Sequence, residues 1–189
     1  MIERSILMKF HSAAFLLLLL PAINSEAGAQ SRYQNSLTLS AGIYATEGFG
    51  TNPYGGVRYT YFLPGWQYFV EASVGVSSLK SAVLETISRS QLFDSQTQYS
   101  YEFVFAYDAT PTGYLPYILG GVAGLNQGGQ TKFAGVIGLG KRIPFGSLGS
   151  SQLGFRYDIR DQIYSQQISN AEPFLAHNLT FTVGLQWYF

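Results

Sequence analysis

The chain has 189 residues, with 11 basic and 11 acidic side chains and no cysteine. A net charge of zero argues against a nucleic-acid-binding protein, and the lack of cysteine excludes disulfides and thiolate metal sites. Charged residues make up only 12% of the chain, about half of the usual ~25%, whereas aromatic residues reach 16%. Such a composition indicates either an outer surface that does not face water or a poorly soluble chain.

The N-terminal segment has the features of an export signal. An apolar run at residues 13–20 follows a basic start, and Ala27 and Ala29 supply the small residues that signal peptidase recognises. The run is too short for a membrane-spanning helix, which needs about 20 apolar residues, so an N-terminal anchor is the weaker alternative. We therefore expect residues 1–29 to be a signal peptide and residues 30–189 to form one domain.

Apolar and polar residues alternate along the rest of the chain, and this period of two predicts β-strands. The pattern is clearest from Asn178 to Phe189, where every second residue is apolar over a dozen positions. A strand of this length can cross a bilayer at ~45° tilt, for which ~9–11 residues suffice. The predicted strands, in chain order, lie around residues 37–43, 57–61, 70–77, 99–107, 115–125, 132–142, 153–160 and 178–189.

The two faces of these strands indicate the environment. One face is wide, apolar and aromatic, whereas the other is small and polar with few charges. A soluble sandwich would carry many charges on its polar face, so the pattern favours an all-β fold in which an eight-stranded antiparallel up-and-down barrel spans a membrane around a polar lumen. Trp66, Tyr68 and Trp187 are predicted to lie in the periplasmic aromatic girdle.

The connectors alternate between long and short, as in transmembrane barrels. The predicted long extracellular loops are 45–54, 80–95 and 162–177, with 126–131 as a tight exception on the same side. The predicted short periplasmic turns are 63–66, 108–114 and 143–150.

The end of the chain resembles the small eight-stranded outer-membrane barrels of the OmpA-like and OmpX-like type. In that family the last residue is typically Phe, with apolar or aromatic residues at every second position before it, as at Val183, Leu185, Trp187 and Phe189. Residues 156–161, followed by 177–179, also resemble the last hairpin of the broad "outer membrane β-barrel domain" family. The resemblance implies a bacterial outer-membrane location and a C-terminal signal for the barrel-assembly machinery, but no activity.

Six charged residues are predicted to point into the lumen, and their charges sum to zero. A buried unpaired ion is costly, so mutual pairing is expected. The functional hypothesis is a gate across a narrow pore, and the alternative is a structural plug. The plug is favoured because eight strands leave a lumen just wide enough for its own side chains. The cluster consists of Arg58, Glu71, Glu102, Arg156, Asp158 and Arg160.

Residues 135–141 match the G-x-x-x-x-G-K pattern of a phosphate-binding loop. Arg142 stands where Ser or Thr is required, and Pro144 cannot open the necessary helix, so we reject a phosphate site. Lys141 and Arg142 are instead predicted to be rim charges at lipid headgroups.

His177 is the only histidine in the predicted mature chain, and it raises the hypothesis of a lipid A-modifying enzyme. In the deacylase pattern a serine follows the histidine by two residues, but Leu179 occupies that position. A triad with a residue of the neighbouring loop stays open, and the candidates are Asp161, Ser165, Ser169 and Glu172. We nevertheless predict no catalytic, cofactor-binding or metal-binding residue.

The sequence thus predicts a non-enzymatic protein with a structural or surface-interaction role through its extracellular loops. A narrow gated pore and a lipid A-modifying enzyme are the two alternatives. The expected partners are outer-membrane lipid, lipopolysaccharide and the barrel-assembly machinery, with no nucleic acid.

Overall fold

The computed structural model describes residues 33–46, 50–79, 96–111, 115–127, 129–166 and 173–189. Eight antiparallel strands close into a barrel, each hydrogen-bonded to its neighbours in sequence and the last to the first. The strands are β1 (Asn35–Thr46), β2 (Gly50–Phe62), β3 (Tyr68–Leu79), β4 (Gln96–Tyr107), β5 (Tyr117–Gln127), β6 (Gln130–Leu148), β7 (Ser151–Gln166) and β8 (Phe174–Tyr188). The predicted all-β, eight-stranded antiparallel barrel is confirmed. In this part of the chain no helix is long and apolar enough to cross a membrane, and the predicted signal peptide lies outside the described residues.

The strands are strongly staggered around the barrel. Starting at Asn35 and stepping from each residue to its partner on the next strand, one returns to β1 at Ala45, ten residues further along. This stagger tilts the strands against the barrel axis, as closure of a sheet requires. The residues on the path are Asn35, Tyr61, Val70, Phe105, Gly120, Ile137, Asp161, Leu179 and Ala45.

Several strands are longer than predicted. Because β1 runs to Thr46 and β2 starts at Gly50, the predicted loop 45–54 is wrong, and most of the predicted loop 162–177 likewise belongs to β7 and β8. The connector 143–150 shrinks to a tight turn at Gly149 and Ser150. Loop 80–95 lies outside the described residues. The strands continue because neighbouring strands supply backbone partners even where the alternation fades.

The apolar face points outward and the polar face inward, as the pattern predicts. Leu39 is 68% exposed and Phe103 58%, whereas their neighbours Thr38 and Glu102 are 0% and 6% exposed. Exposed apolar side chains around a polar interior are the reverse of a soluble protein and fit a barrel surrounded by lipid.

We refer to the end that holds Asn35 and Phe189 as the periplasmic end, because both termini and the short turns are expected there. The backbone amide of Phe189 donates to Asn35, and that of Asn35 donates to Phe189, at 3.0 and 3.2 Å. These two hydrogen bonds complete the seam between the first and last strands.

Candidate functional site

The lumen contains a network of ion pairs built from alternate strand positions. Arg156, Asp158 and Arg160 lie two residues apart on β7, so all three point inward. Each of the six residues of the predicted cluster is at most 6% exposed, and the structure brings all six together. The other three enter from neighbouring strands: Arg58 from β2, Glu71 from β3 and Glu102 from β4.

Asp158 is the centre of the network. It forms ion pairs with Arg58, with Arg156 at 3.0 Å and with Arg160 at 3.3 Å. The hydroxyl of Tyr117 donates a further hydrogen bond to it. One carboxylate therefore holds the three arginines in a single group.

The two glutamates complete the charge balance. Glu71 pairs with Arg156 and, at 2.6 Å, with Arg160. Glu102 pairs with Arg160 and also accepts a hydrogen bond from Gln162 at 2.5 Å. Three cations and three anions thus form a neutral network, which is the arrangement that makes buried charge tolerable.

A layer of neutral polar groups lies on the extracellular side of the ion pairs. The Tyr44 hydroxyl accepts hydrogen bonds from the amides of Gln98 and Asn178, each at 2.7 Å, and donates one to Gln162 at 3.0 Å. The predicted cluster did not include Tyr44, Tyr117 or Gln162. Their inward position on the alternating strands was the available signal.

The periplasmic end of the lumen is sealed by aromatic rings. The plug consists of Phe62, Trp66, Phe69, Tyr117 and Tyr188, all at most 7% exposed. Phe62 stacks on Trp66 with ring centroids 4.4 Å apart, and Phe69 meets Tyr117 edge to face at 5.2 Å. We call these five residues the aromatic plug.

The placement predicted for Trp66 is wrong, whereas Tyr68 and Trp187 do lie on the outer surface, 42% and 45% exposed. Trp66 follows Gly65 in the β2–β3 turn, and both have left-handed backbones, with φ of 62° and 89°. That backbone turns the indole into the barrel instead of toward the membrane.

The predicted rim positions of Lys141 and Arg142 are also wrong. Arg142 lies inside the barrel, 2.7 Å from Asp108 and 4.7 Å from the ring centres of both Phe62 and Phe69. The Lys141 ammonium donates to the carbonyl oxygens of Thr110 and Leu115 at 2.8 Å each. Arg142 occupies one of the alternate positions of β6 whose side chains point inward. Lys141 is buried because the β4–β5 turn, to which its ammonium group binds, covers it.

His177 lies on the outer surface, away from the lumen network. Its Nδ1 is 2.7 Å from an Asp161 carboxylate oxygen, and the side chain is 46% exposed. Leu179 shares this outward face, as does Ser165 on β7, whereas Ser169 and Glu172 lie outside the described residues. Among the residues that the structure describes, no group of three or more His, Cys, Asp or Glu side chains could hold a metal ion.

The residues of the predicted assembly signal form an outward-facing row along the end of β8 and the residue that follows it. Val183, Leu185, Trp187 and Phe189 are 43% to 48% exposed. Their role in assembly stays a prediction.

No protein-family model and no curated protein matches the chain. Among solved structures, the chain is similar to outer membrane protein AlkL, determined in lipid bilayers, with 14% identity over 89% of this chain and 97% of that one and a TM-score of 0.52. Neisserial surface protein A gives 10% identity over 82% and 97% at a TM-score of 0.49. Ail, the attachment invasion locus protein of Yersinia pestis, gives 14% over 82% and 96% at 0.41.

The match to AlkL covers 89% of this chain. At this identity it establishes the fold and leaves activity open. The chain has the fold of the small eight-stranded outer-membrane β-barrels that its C-terminal motif resembles.

Proposed function

We propose that the protein is a non-conducting barrel of the bacterial outer membrane that supports its extracellular loops and has no enzymatic role. The observation that carries this proposal is the filled lumen. A neutral polar layer around Tyr44, the ion-pair network around Asp158 and the aromatic plug follow one another along the barrel axis.

The surface of the barrel supports the membrane location. Tyr61, Tyr68 and Trp187 lie near the periplasmic end, and Tyr99 and Tyr101 lie toward the other, all at least 39% exposed. Aromatic rings of this kind favour the two membrane interfaces. Outer-membrane lipid and lipopolysaccharide are therefore the proposed surroundings, reached by export through the periplasm and insertion by the barrel-assembly machinery.

The closed lumen favours a structural role for the buried charges over a narrow gated pore. The arginines and carboxylates bind each other across the lumen, and the aromatic plug covers the periplasmic end with rings that contact one another. An ion would have to displace buried charge pairs as well as packed aromatic groups, and both steps are costly.

Single-channel recording in planar lipid bilayers tests this proposal. The purified protein should give no conductance steps, whereas a porin inserted in the same way provides the positive control. Regular steps from the wild-type protein would contradict a non-conducting scaffold and favour the gated pore.

The contact between His177 and Asp161 favours one second candidate, a lipid A-modifying enzyme. A histidine held at Nδ1 by a carboxylate is part of the arrangement that activates serine nucleophiles. Here Leu179 occupies the position expected for the serine.

Mass spectrometry of lipid A after incubation with the protein distinguishes the enzyme from the scaffold. We expect no change in lipid A mass with the wild-type protein or with His177→Ala. Loss of an acyl chain with the wild-type protein alone would establish the enzymatic alternative.

Cell fractionation combined with gel mobility tests the location. The protein should appear in the outer-membrane fraction and migrate faster in SDS before boiling than after it, because a folded barrel resists the detergent. Recovery in the soluble fraction would contradict the proposal.

A further inference from the structure

The β2–β3 turn at the periplasmic end carries a bulky residue in an unfavourable backbone conformation. Trp66 has φ of 62°, and among the described residues no other non-glycine residue has a positive φ. A left-handed backbone costs energy for a residue with a Cβ, so surrounding contacts must hold it. The contacts of the indole show what holds it there.

The Trp66 indole contacts aromatic rings of the second strand and of the last strand. Its ring centre lies 4.4 Å from that of Phe62 on β2 and 5.6 Å from that of Tyr188 on β8, with interplanar angles of 9° and 22°. β1 lies between β2 and β8 in the sheet. The stack therefore spans β1 on the inside of the barrel.

The stack lies against the last contacts of the β1–β8 seam. Tyr188 donates to Gln186 at 2.9 Å, and Gln186 in turn donates to Ser36 on β1 at 2.7 Å. On the same level the backbones of Asn35 and Phe189 exchange their two hydrogen bonds. The β1–β8 seam is where the two ends of the chain meet, and separation of β8 from β1 pulls Tyr188 away from Trp66.

Two hydrogen bonds and one cation–π contact fix the turn itself. The Trp66 amide donates to the Leu63 carbonyl at 3.0 Å, and the Asp108 amide donates to the Gln67 carbonyl at 2.7 Å. The Arg142 guanidinium, paired with Asp108, lies 5.7 Å from the indole. The turn is thus bound to the β4–β5 turn and to β6 as well as to the seam.

We propose that Trp66 is a latch that holds the periplasmic end of the β1–β8 seam closed. Its burial requires β2, β6 and β8 to be in place, so the latch closes only when the barrel does. Once the latch is closed, β8 can separate from β1 only if the Trp66 ring leaves its stack in the aromatic plug. The frequency of local opening at the seam is therefore set by the frequency with which Trp66 leaves the stack.

Amide hydrogen exchange in the protein refolded into lipid nanodiscs tests the latch, because exchange reports local opening. Trp66→Ala should accelerate exchange of the Asn35 and Phe189 amides by at least about tenfold relative to the wild type. The amides of Ala123 and Ala134, which pair between β5 and β6, should keep their wild-type rates. Equal acceleration at all four amides would mean general destabilisation and would overturn the proposal.

Three further variants distinguish the effect of the Trp66 ring from the effects of backbone strain and of the outer surface. Trp66→Gly removes the ring and also the energetic cost of the left-handed backbone. If the seam amides exchange as fast in Trp66→Gly as in Trp66→Ala, the latch is supported, whereas exchange at the wild-type rate contradicts it. Trp66→Phe keeps an aromatic ring in the stack and should restore most of the protection. Trp187→Ala removes an indole from the outer side of the same seam, and acceleration as large as that of Trp66→Ala would show that the inner stack has no special role.

Discussion

Glu102 tests the ion-pair network at the scale of a single residue. Its carboxylate pairs with Arg160 and accepts hydrogen bonds from Gln162 and Ser73 at 2.5 and 3.2 Å. Glu102→Leu leaves the Arg160 cation with one anionic partner fewer inside the barrel, so we expect a loss of ~3–5 kcal/mol in unfolding free energy. Urea titration in lipid vesicles measures this difference.

The double variant Glu102→Leu/Arg160→Met provides the control. Replacing both members of a buried pair by apolar side chains removes the uncompensated charge, so it should restore a large part of the lost stability. If Glu102→Leu changes the stability by less than the measurement error, the lumen is hydrated, and the pore alternative gains support.

Gly75 tests the packing of the lumen beneath an aromatic ring. It points inward on β3, and a Cβ there would overlap the ring of Tyr54, which is 6% exposed. Overfilling a packed site typically costs about 1–3 kcal/mol, which is the loss that we expect for Gly75→Ala. Gly124→Ala is the matched control, because Gly124 also lies in a strand but faces the outer surface. A Cβ at Gly124 would have no atom of a non-neighbouring residue nearer than 4.0 Å. Equal stability of the two variants in the same titration would contradict the packing seen around Tyr54.

At the scale of the element, β8 provides both the seam and the proposed assembly signal. The Phe189 ring is 43% exposed and lies 5.1 Å from the ring of Trp187, whereas its backbone carries the terminal seam hydrogen bonds. Phe189→Ala keeps this backbone and removes the ring. We expect a lower yield of assembled barrel in cells, since the ring is the proposed recognition element, but nearly normal refolding into detergent.

Deletion of Phe189 removes the backbone partner of Asn35 as well. If the deletion variant gives a lower yield of folded barrel than Phe189→Ala, both in detergent and in cells, the difference measures the contribution of the seam hydrogen bonds. Normal assembly of both variants in cells would count against the proposed signal and against the outer-membrane assignment.

For the molecule as a whole, cleavage during export determines which residues remain in the mature protein. The Ala27 and Ala29 pair predicts cleavage before Gln30. The intact mass of the protein extracted from membranes should therefore correspond to residues 30–189. Retention of residues 1–29 would indicate a different export route.

Alternation of polarity along the chain, together with the alternating connector lengths, predicted the number of strands, their closed antiparallel arrangement and the inward face of the six-residue charge cluster. Side chains two residues apart share a face of a strand, so Arg156, Asp158 and Arg160 could be assigned to one side before any contact was known. A wide aromatic face opposite a sparsely charged one identified lipid as the outer solvent. The same parity also applied to Tyr44 and Tyr117, whose inward positions could have been recognised.

The tertiary structure decided which residues meet across the barrel and how its periplasmic end is closed. Strand ends such as Thr46 and Gly50 depend on backbone partners on neighbouring strands, and pairs such as Arg160 with Glu102 depend on the stagger of the whole barrel. Arg142 has the inward orientation that alternation along β6 already indicates. Trp66 and Lys141 were misplaced because a left-handed turn directs the indole inward and the β4–β5 turn covers the ammonium group. Alternation constrains each strand by itself, whereas these positions depend on contacts between segments that lie far apart in the chain.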